Sequence, residues 1–406
     1  MKRALNCILM LFLLTGLWHC IAPEGEVEIT ALEKSVTESG NSFAMELFPA
    51  LSDAEGDKNV LISPFSISTA LSMTYNGARG ATQTAMAQVL CYPDISREDV
   101  NRAYKDLTDY LKTADDKVTL NIANSLWINE IFNPDQDFID DNREYYDAEV
   151  RKLNFGDPAS VDTINQWVSD KTEDKIESII DVIPQNTLMY LINALYFKGV
   201  WTWEFDPEQT VEALFRNYDG TRDTVDMMHQ RAELDYYATE DFQAVDLPYG
   251  DEKYSMTLIL PSQGMDINTF IAGMTQSDWE SWMEAFPDEK DTIDVYLPRF
   301  TVEYKIKLKD ILSTLGMGIA FTGQADFTGI HPAGGIWINE VYHKTFIEVT
   351  EEGTEAAAVT AVEMEYTSAD PPDPMIRLDR PFLFAIREKE TGTIFFMGKI
   401  LDLGDE

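Results

Sequence analysis

Residues 353–368 read Gly353-Thr354-Glu355-Ala356-Ala357-Ala358-Val359-Thr360-Ala361-Val362-Glu363-Met364-Glu365-Tyr366-Thr367-Ser368, and Pro371, Pro372 and Pro374 follow. In an extended strand successive side chains point to opposite faces. One parity here is Thr354, Ala356, Ala358, Thr360, Val362, Met364 and Tyr366, all uncharged, while every charge (Glu355, Glu363, Glu365) falls on the other. That division suits a strand with one face on a core. The small residues at its start let it slide between neighbouring strands with little steric cost. About 13 residues at ~3.3 Å each span on the order of 40 Å, the length of a long central strand. The Glu-Ala-Ala-Ala run is also strongly helix-forming, so the stretch by itself leaves a helix or a linker open.

The surroundings mix two periodicities. Apolar residues recur at helical spacing in 41–48, 66–73 and 99–111, and helical stretches follow at 160–180, 266–274 and 306–315. Strand signals occupy 118–128, 188–197, 254–260, 292–300, 336–349 and 381–399, with turns at Tyr249-Gly250-Asp251 and Glu390-Thr391-Gly392. No repeat, Pro/Ser-rich linker or low-complexity block divides the chain. Its 406 residues, 45% hydrophobic, provide for a large core. The expectation is one α+β domain.

The N-terminus carries a different signal. Met1, Lys2 and Arg3 precede the apolar run Ala4 to Trp18, which matches an export signal over 1–22 and is short for a retained membrane helix. Two endings stay open: Cys20-Ile21-Ala22 fits a small-x-small cleavage site, and Cys20 could alternatively be a lipid-modified first residue, although Trp18 and His19 are bulky for that. Residues 23–38 read as an acidic tether and 39–406 as the domain. With Cys7 inside the signal, only Cys20 and Cys91 remain, so no disulfide framework supports the fold.

The formal net charge of −40, from 71 acidic against 31 basic residues, disfavours nucleic acid, heparin-like polyanions and anionic lipid as partners. Enzymatic chemistry finds little purchase. There are four histidines, His19, His229, His331 and His343, no G-x-S-x-G elbow, no H-E-x-x-H pair, no phosphate loop and no GxGxxG after a strand. The acidic run Asp135 to Asp147 lacks the glycine a calcium loop needs at its sixth position, where Asp140 stands, and reads as a solvated face. No metal or other cofactor is expected, and the protein is not expected to be an enzyme.

The stretch Glu351-Glu352-Gly353-Thr354-Glu355-Ala356-Ala357-Ala358 resembles the hinge of inhibitory serpins. Further matches, in order, are Ile62-Ser63-Pro64-Phe65-Ser66-Ile67, Asn76-Gly77-Ala78-Arg79-Gly80, Asn193-Ala194-Leu195-Tyr196-Phe197-Lys198-Gly199-Val200-Trp201, Leu297-Pro298-Arg299-Phe300, His343-Lys344-Thr345-Phe346, Arg380-Pro381-Phe382 and Phe395-Phe396-Met397-Gly398-Lys399. The resemblance covers about Ser39 to Leu403. It implies three β-sheets, eight or nine helices and an exposed C-terminal reactive loop. It also implies a metastable, monomeric protease inhibitor: a serine protease, or alternatively a cysteine protease, cuts the loop and is trapped as an acyl-enzyme when the freed strand enters the largest sheet. A non-inhibitory serpin serving as carrier, chaperone or storage protein is the alternative.

By the same resemblance the hinge is Gly353, Thr354, Glu355, Ala356, Ala357, Ala358, Val359 and Thr360. Ser63, Ser66, Asn193 and His343 form a shutter between central strands, and Trp201, Arg299 and Glu351 close the top of the sheet. Counting from the hinge places the reactive bond at Thr367-Ser368. The stretch 368–381 is a few residues longer than in well-known members, which keeps Tyr366-Thr367 as an alternative. Neither bond follows a basic residue, so elastase-, subtilisin- or chymotrypsin-like targets are expected rather than trypsin-like ones.

Overall fold

A computed structural model describes residues 29–92, 95–287, 289–354 and 374–404. Helix Ala31–Glu55 opens the fold, with Thr30 as its N-cap and Glu33 closing a capping box. Residues 31–38, expected within an acidic tether, are the opening turns of this helix. Glu33, Val36 and Thr37 are buried: Glu33 turns back onto the Thr30 amide in the capping box, while Val36 and Thr37 reach the core. The second helix, Pro64–Tyr75, is capped by the Ser63 hydroxyl, begins with proline at its first turn, and is buried almost all round. A helix apolar enough to be covered on every side belongs beneath a sheet.

A six-stranded sheet lies over that helix, in the order 300–307, 342–349, 353–354, 189–200, 118–129 and 149–153. Eight further strands form a continuous path in which Arg222–Ala238 serves two sheets, and a ninth, Val211–Arg216, pairs with that strand off the path. Residues 227–234 of the shared strand pair with 291–298, and residues 235–238 turn onto Phe242–Tyr249. The expected three sheets are therefore present, two of them joined through one long strand. Nine α-helices occur among the described residues.

Two sequence expectations shift. The strand expected over 336–349 begins at Tyr342, and residues 336–341 line a cavity instead of pairing. The helix expected over 160–180 ends at Lys171. Beyond it, Ile176, Ile179 and Ile180 pack onto Ile192 and Ala194 of the large sheet. The Asn165 side chain holds this segment by accepting from the amides of Ile179 and Ile180 and donating to the Ile180 carbonyl. Asp135–Asp147 is a capped surface helix, in keeping with the solvated face. Among the described residues no helix is long and apolar enough to cross a membrane, and Cys91 is a free thiol.

Candidate functional site

In the large sheet, strands Met189–Val200 and Tyr342–Val349 stand apart by the width of one strand. Gly353 and Thr354 fill only the top of that space: Gly353 pairs with Val200, and Thr354 pairs with Gly199 on one side and Val349 on the other. Below Thr354, among the described residues, neither flanking strand has a ladder partner on its slot side. The unpaired backbone edges face one another across the slot, an arrangement that invites a further strand. At the lower end the slot widens into a cavity of about 560 Å³, lined by Met189, Leu191, Val341 and His343 and floored by helix 64–75 through Ile67 and Leu71.

The mouth of the slot is held by side chains. Thr354 is 3% exposed, and its hydroxyl meets that of Tyr249 at 2.6 Å. Trp201 stacks on Tyr249 at 4.3 Å and donates from Nε1 to the Thr350 carbonyl at 3.0 Å. The Trp201 and Phe205 amides donate to the carbonyls of Glu352 and Glu351. Gly353 is required here: a Cβ on it would lie 2.1 Å from the Gly199 carbonyl oxygen, and its φ of +153° is strained for other residues.

Arg299 grips Glu351 with two bonds, Nε to Oε2 at 3.2 Å and Nη2 to Oε1 at 2.5 Å, and Thr210 donates to the same carboxylate at 2.7 Å. Burial pushes the Glu351 carboxyl up, but the bonds from Arg299 and Thr210 outweigh it and hold the group below the usual carboxylate range. The Glu351 side chain is only 6% exposed although Arg299 is 44% exposed. The pair is thus half-buried, and loss of Arg299 would leave a buried carboxylate without its cation.

Midway down, the expected shutter residues converge. The Ser63 amide donates to His343 Nε2 at 3.0 Å, so Nε2 is the acceptor and Nδ1 carries the proton. Burial pushes the His343 imidazole down to about 3. Across the slot Asn193 Nδ2 donates to Asn124, whose own amide donates to the Tyr146 carbonyl. Asn193 Oδ1 is buried without a partner among the described residues. Ser66 is buried, its amide donating to the Ser63 hydroxyl. A buried acceptor gains from any hydroxyl or amide donor brought to it.

Two placements add detail to the sequence expectations. Thr354, expected in the hinge, is already inside the sheet, where its hydroxyl meets that of Tyr249. Arg299 and Glu351, expected to close the top of the sheet, pair there with the carboxylate side buried. Tyr249, Phe205, Thr210 and Asn124 escaped the sequence reading, since they join the site from distant strands and loops with no local pattern. Hinge residues Glu355, Ala356, Ala357, Ala358, Val359 and Thr360, the Thr367-Ser368 and Tyr366-Thr367 bonds, and Cys20 lie outside the described residues.

Comparison with known proteins agrees with this geometry. The family model "Serpin (serine protease inhibitor)" matches residues 38–403. Human serpin B8 is 35% identical over 370 residues, covering 89% of this chain and 98% of its own. The native state of the thermophilic serpin tengpin superposes with a TM-score of 0.83 at 34% identity, covering 93% of this chain and 96% of the other. Human thyroxine-binding globulin superposes at 0.84 with 28% identity, covering 92% and 100%. Among the described residues, the large sheet over a buried helix has its two central strands joined only at the top, by Gly353 and Thr354, and this is the fold the relatives share. This chain belongs to the serpin family.

Proposed function

We propose that this serpin is a secreted inhibitor of serine proteases that acts as a suicide substrate. The observation that carries the reading is the position of Thr354 between two strands that, among the described residues, are otherwise unpaired on their facing edges. Extending the antiparallel register downward sets residue 360 opposite both Asn193 and His343, and residue 366 opposite Thr187 and Trp337. Thr354 turns its side chain toward Tyr249, so the uncharged parity faces inward and Glu355, Glu363 and Glu365 face outward. The Thr360 hydroxyl then accepts from His343 Nδ1 and donates to Asn193 Oδ1, supplying the one donor that buried acceptor lacks.

Two free strand edges and an inward face without charge give the cut loop a reason to enter, and the Arg299–Glu351 grip and the Trp201 stack at the mouth set the barrier before cleavage. A protease still acylated at the loop is carried with it. The bond is Thr367-Ser368, with Tyr366-Thr367 as the alternative, and targets are elastase-, subtilisin- or chymotrypsin-like. The export signal with Cys20 is consistent with an extracellular or lipid-anchored location.

Incubation with an elastase- or subtilisin-like protease tests the reading. A complex stable in denaturing gel and a released peptide starting at Ser368 (or at Thr367) are expected; clean digestion without a complex would favour a non-inhibitory carrier or storage role.

A further inference from the structure

Strand Val211–Arg216 and the opening of Arg222–Ala238 form a two-stranded ribbon, with Val211 opposite Met227 and Arg216 opposite Arg222. Side chains alternate between its faces. One face is covered: Phe215, Val225 and Met227 are buried, and the Phe215 ring meets Phe382 edge-on. On the other face every residue is exposed, Glu212, Leu214 and Arg216 on one strand and Arg222, Thr224 and Asp226 on its neighbour.

The register sorts the charges of this exposed face by sign. Glu212 stands directly opposite Asp226 and Arg216 directly opposite Arg222, with Leu214 opposite Thr224 between them. Directly opposite side chains lie about 5 Å apart, and like charges so placed are destabilising. Arg299 relieves one pair in part, reaching Asp226 at 3.4 Å while its shorter bonds go to Glu351. Among the described residues Glu212, Arg216 and Arg222 have no ion-pair partner. The ribbon therefore has an acidic end and a basic end, about 14 Å apart along the strand. Leu214, 55% exposed, lies at the centre.

We propose that this face is a reversible contact between two copies of the chain. A two-fold axis that lies between the copies and crosses both strands at Leu214 and Thr224 reverses the strand direction. It sets Glu212 over Arg216 of the second copy, Asp226 over Arg222 of the second copy, and Leu214 over its own equivalent. Such a contact is isologous, so each ion pair occurs twice around the apolar centre. Each like-charge pair of the free chain gains opposite charges in the dimer.

The charge of the whole chain makes this face distinctive. With 71 acidic and 31 basic residues, two copies repel one another overall. The exposed face of the ribbon, with Glu212 and Asp226 against Arg216 and Arg222, is locally neutral. A Debye length of about 8 Å at physiological salt screens the distant charges and leaves contact pairs in force. Charges on an edge strand ordinarily repel any neighbour. Here their sign changes along the strand, so a copy turned by the two-fold meets opposite charge at both ends. A partner of uniform sign, a basic protein or a polyanion, is repelled by one end. The ribbon is only ~20 Å long, which suits a weak dimer rather than a permanent one. The monomer that the family resemblance implies is one side of that equilibrium.

Sedimentation equilibrium of the purified protein at physiological salt, from micromolar to submillimolar concentration, tests the contact. The weight-average mass is expected to rise toward twice that of the chain and to fall again on dilution. Arg216→Glu with Arg222→Glu makes the face wholly acidic, and Glu212→Arg with Asp226→Arg makes it wholly basic. Each double variant should dimerise more weakly by about tenfold or more, and an equimolar mixture of the two should associate again. A mass that stays monomeric in the unmodified protein, association undiminished in both variants, or a mixture that remains monomeric overturns the proposal. If the unmodified protein stays monomeric and the charge reversals instead slow its capture of a protease, the face belongs to the protease and the self-contact falls. No protease enters the sedimentation measurement, so its outcome is independent of the inhibitor reading.

Discussion

Replacing Thr360 by valine removes one hydroxyl while nearly keeping the volume of the side chain. The register fixed by Thr354 against Gly199 and Val349 carries residue 360 to a place between Asn193 and His343. There the hydroxyl serves one acceptor, Asn193 Oδ1, which has no other donor among the described residues, and one donor, His343 Nδ1. Valine would leave both groups buried and unpaired. At roughly 1–3 kcal/mol for each, discounted because a water can replace part of the loss, the inserted form should lose about 2–4 kcal/mol. The intact form should lose far less, because among the described residues nothing donates to Asn193 Oδ1 at that level. The assay is guanidinium unfolding of intact and loop-cleaved protein, with and without the substitution. A midpoint lowered in the cleaved form alone is expected, together with more inhibitor consumed per protease trapped. Equal lowering in both forms, or none in the cleaved form, would refute the register.

Three other outcomes follow from the same geometry. His343 titrates near 6.5 when unfolded but at about 3 in the fold; the unfolded chain binds the extra proton, so stability present above pH 6.5 is lost as pH falls toward 3. Each unit is worth about 1.4 kcal/mol, so urea unfolding should register a deficit of about 2 kcal/mol at pH 5 that His343→Gln largely removes. Thr354→Arg places an unpaired cation where Thr354 is 3% exposed, so it should make the protein a substrate and also lower the midpoint of the intact form. Gly353→Ala sets a methyl 2.1 Å from the Gly199 carbonyl oxygen; expulsion of Thr354 from the sheet should appear as faster hydrogen exchange at Val200 and Val349, with the remainder of the sheet unchanged.

How far the sequence could be read depended on whether the pattern was local. The two-residue alternation in 354–366 is a local property, and the inward turn of Thr354 agrees with it. Ser63 and His343 share a hydrogen bond, and Asn193 lines the same cavity as His343. Tyr249 was visible only as part of a turn; its role as the partner of Thr354 and the platform for Trp201 depends on three strands meeting. Residues 336–341 open on the strand-prone run Ile336-Trp337-Ile338, yet they line the lower cavity, where no strand among the described residues pairs with them. The first helix reaches further upstream than the apolar run at 41–48 marks, to a capping box at Thr30 with Glu33, Val36 and Thr37 buried behind it.

The central claim is that cutting the loop lets a new strand fill the slot beneath Thr354. Thermal unfolding of the purified protein before and after a single cut between 366 and 368 tests it most directly. The cleaved form should melt higher by well over the ~2–4 °C that 1 kcal/mol moves a domain of 150–250 residues. A cleaved form that melts at the same temperature as the intact one, or below it, would contradict the account.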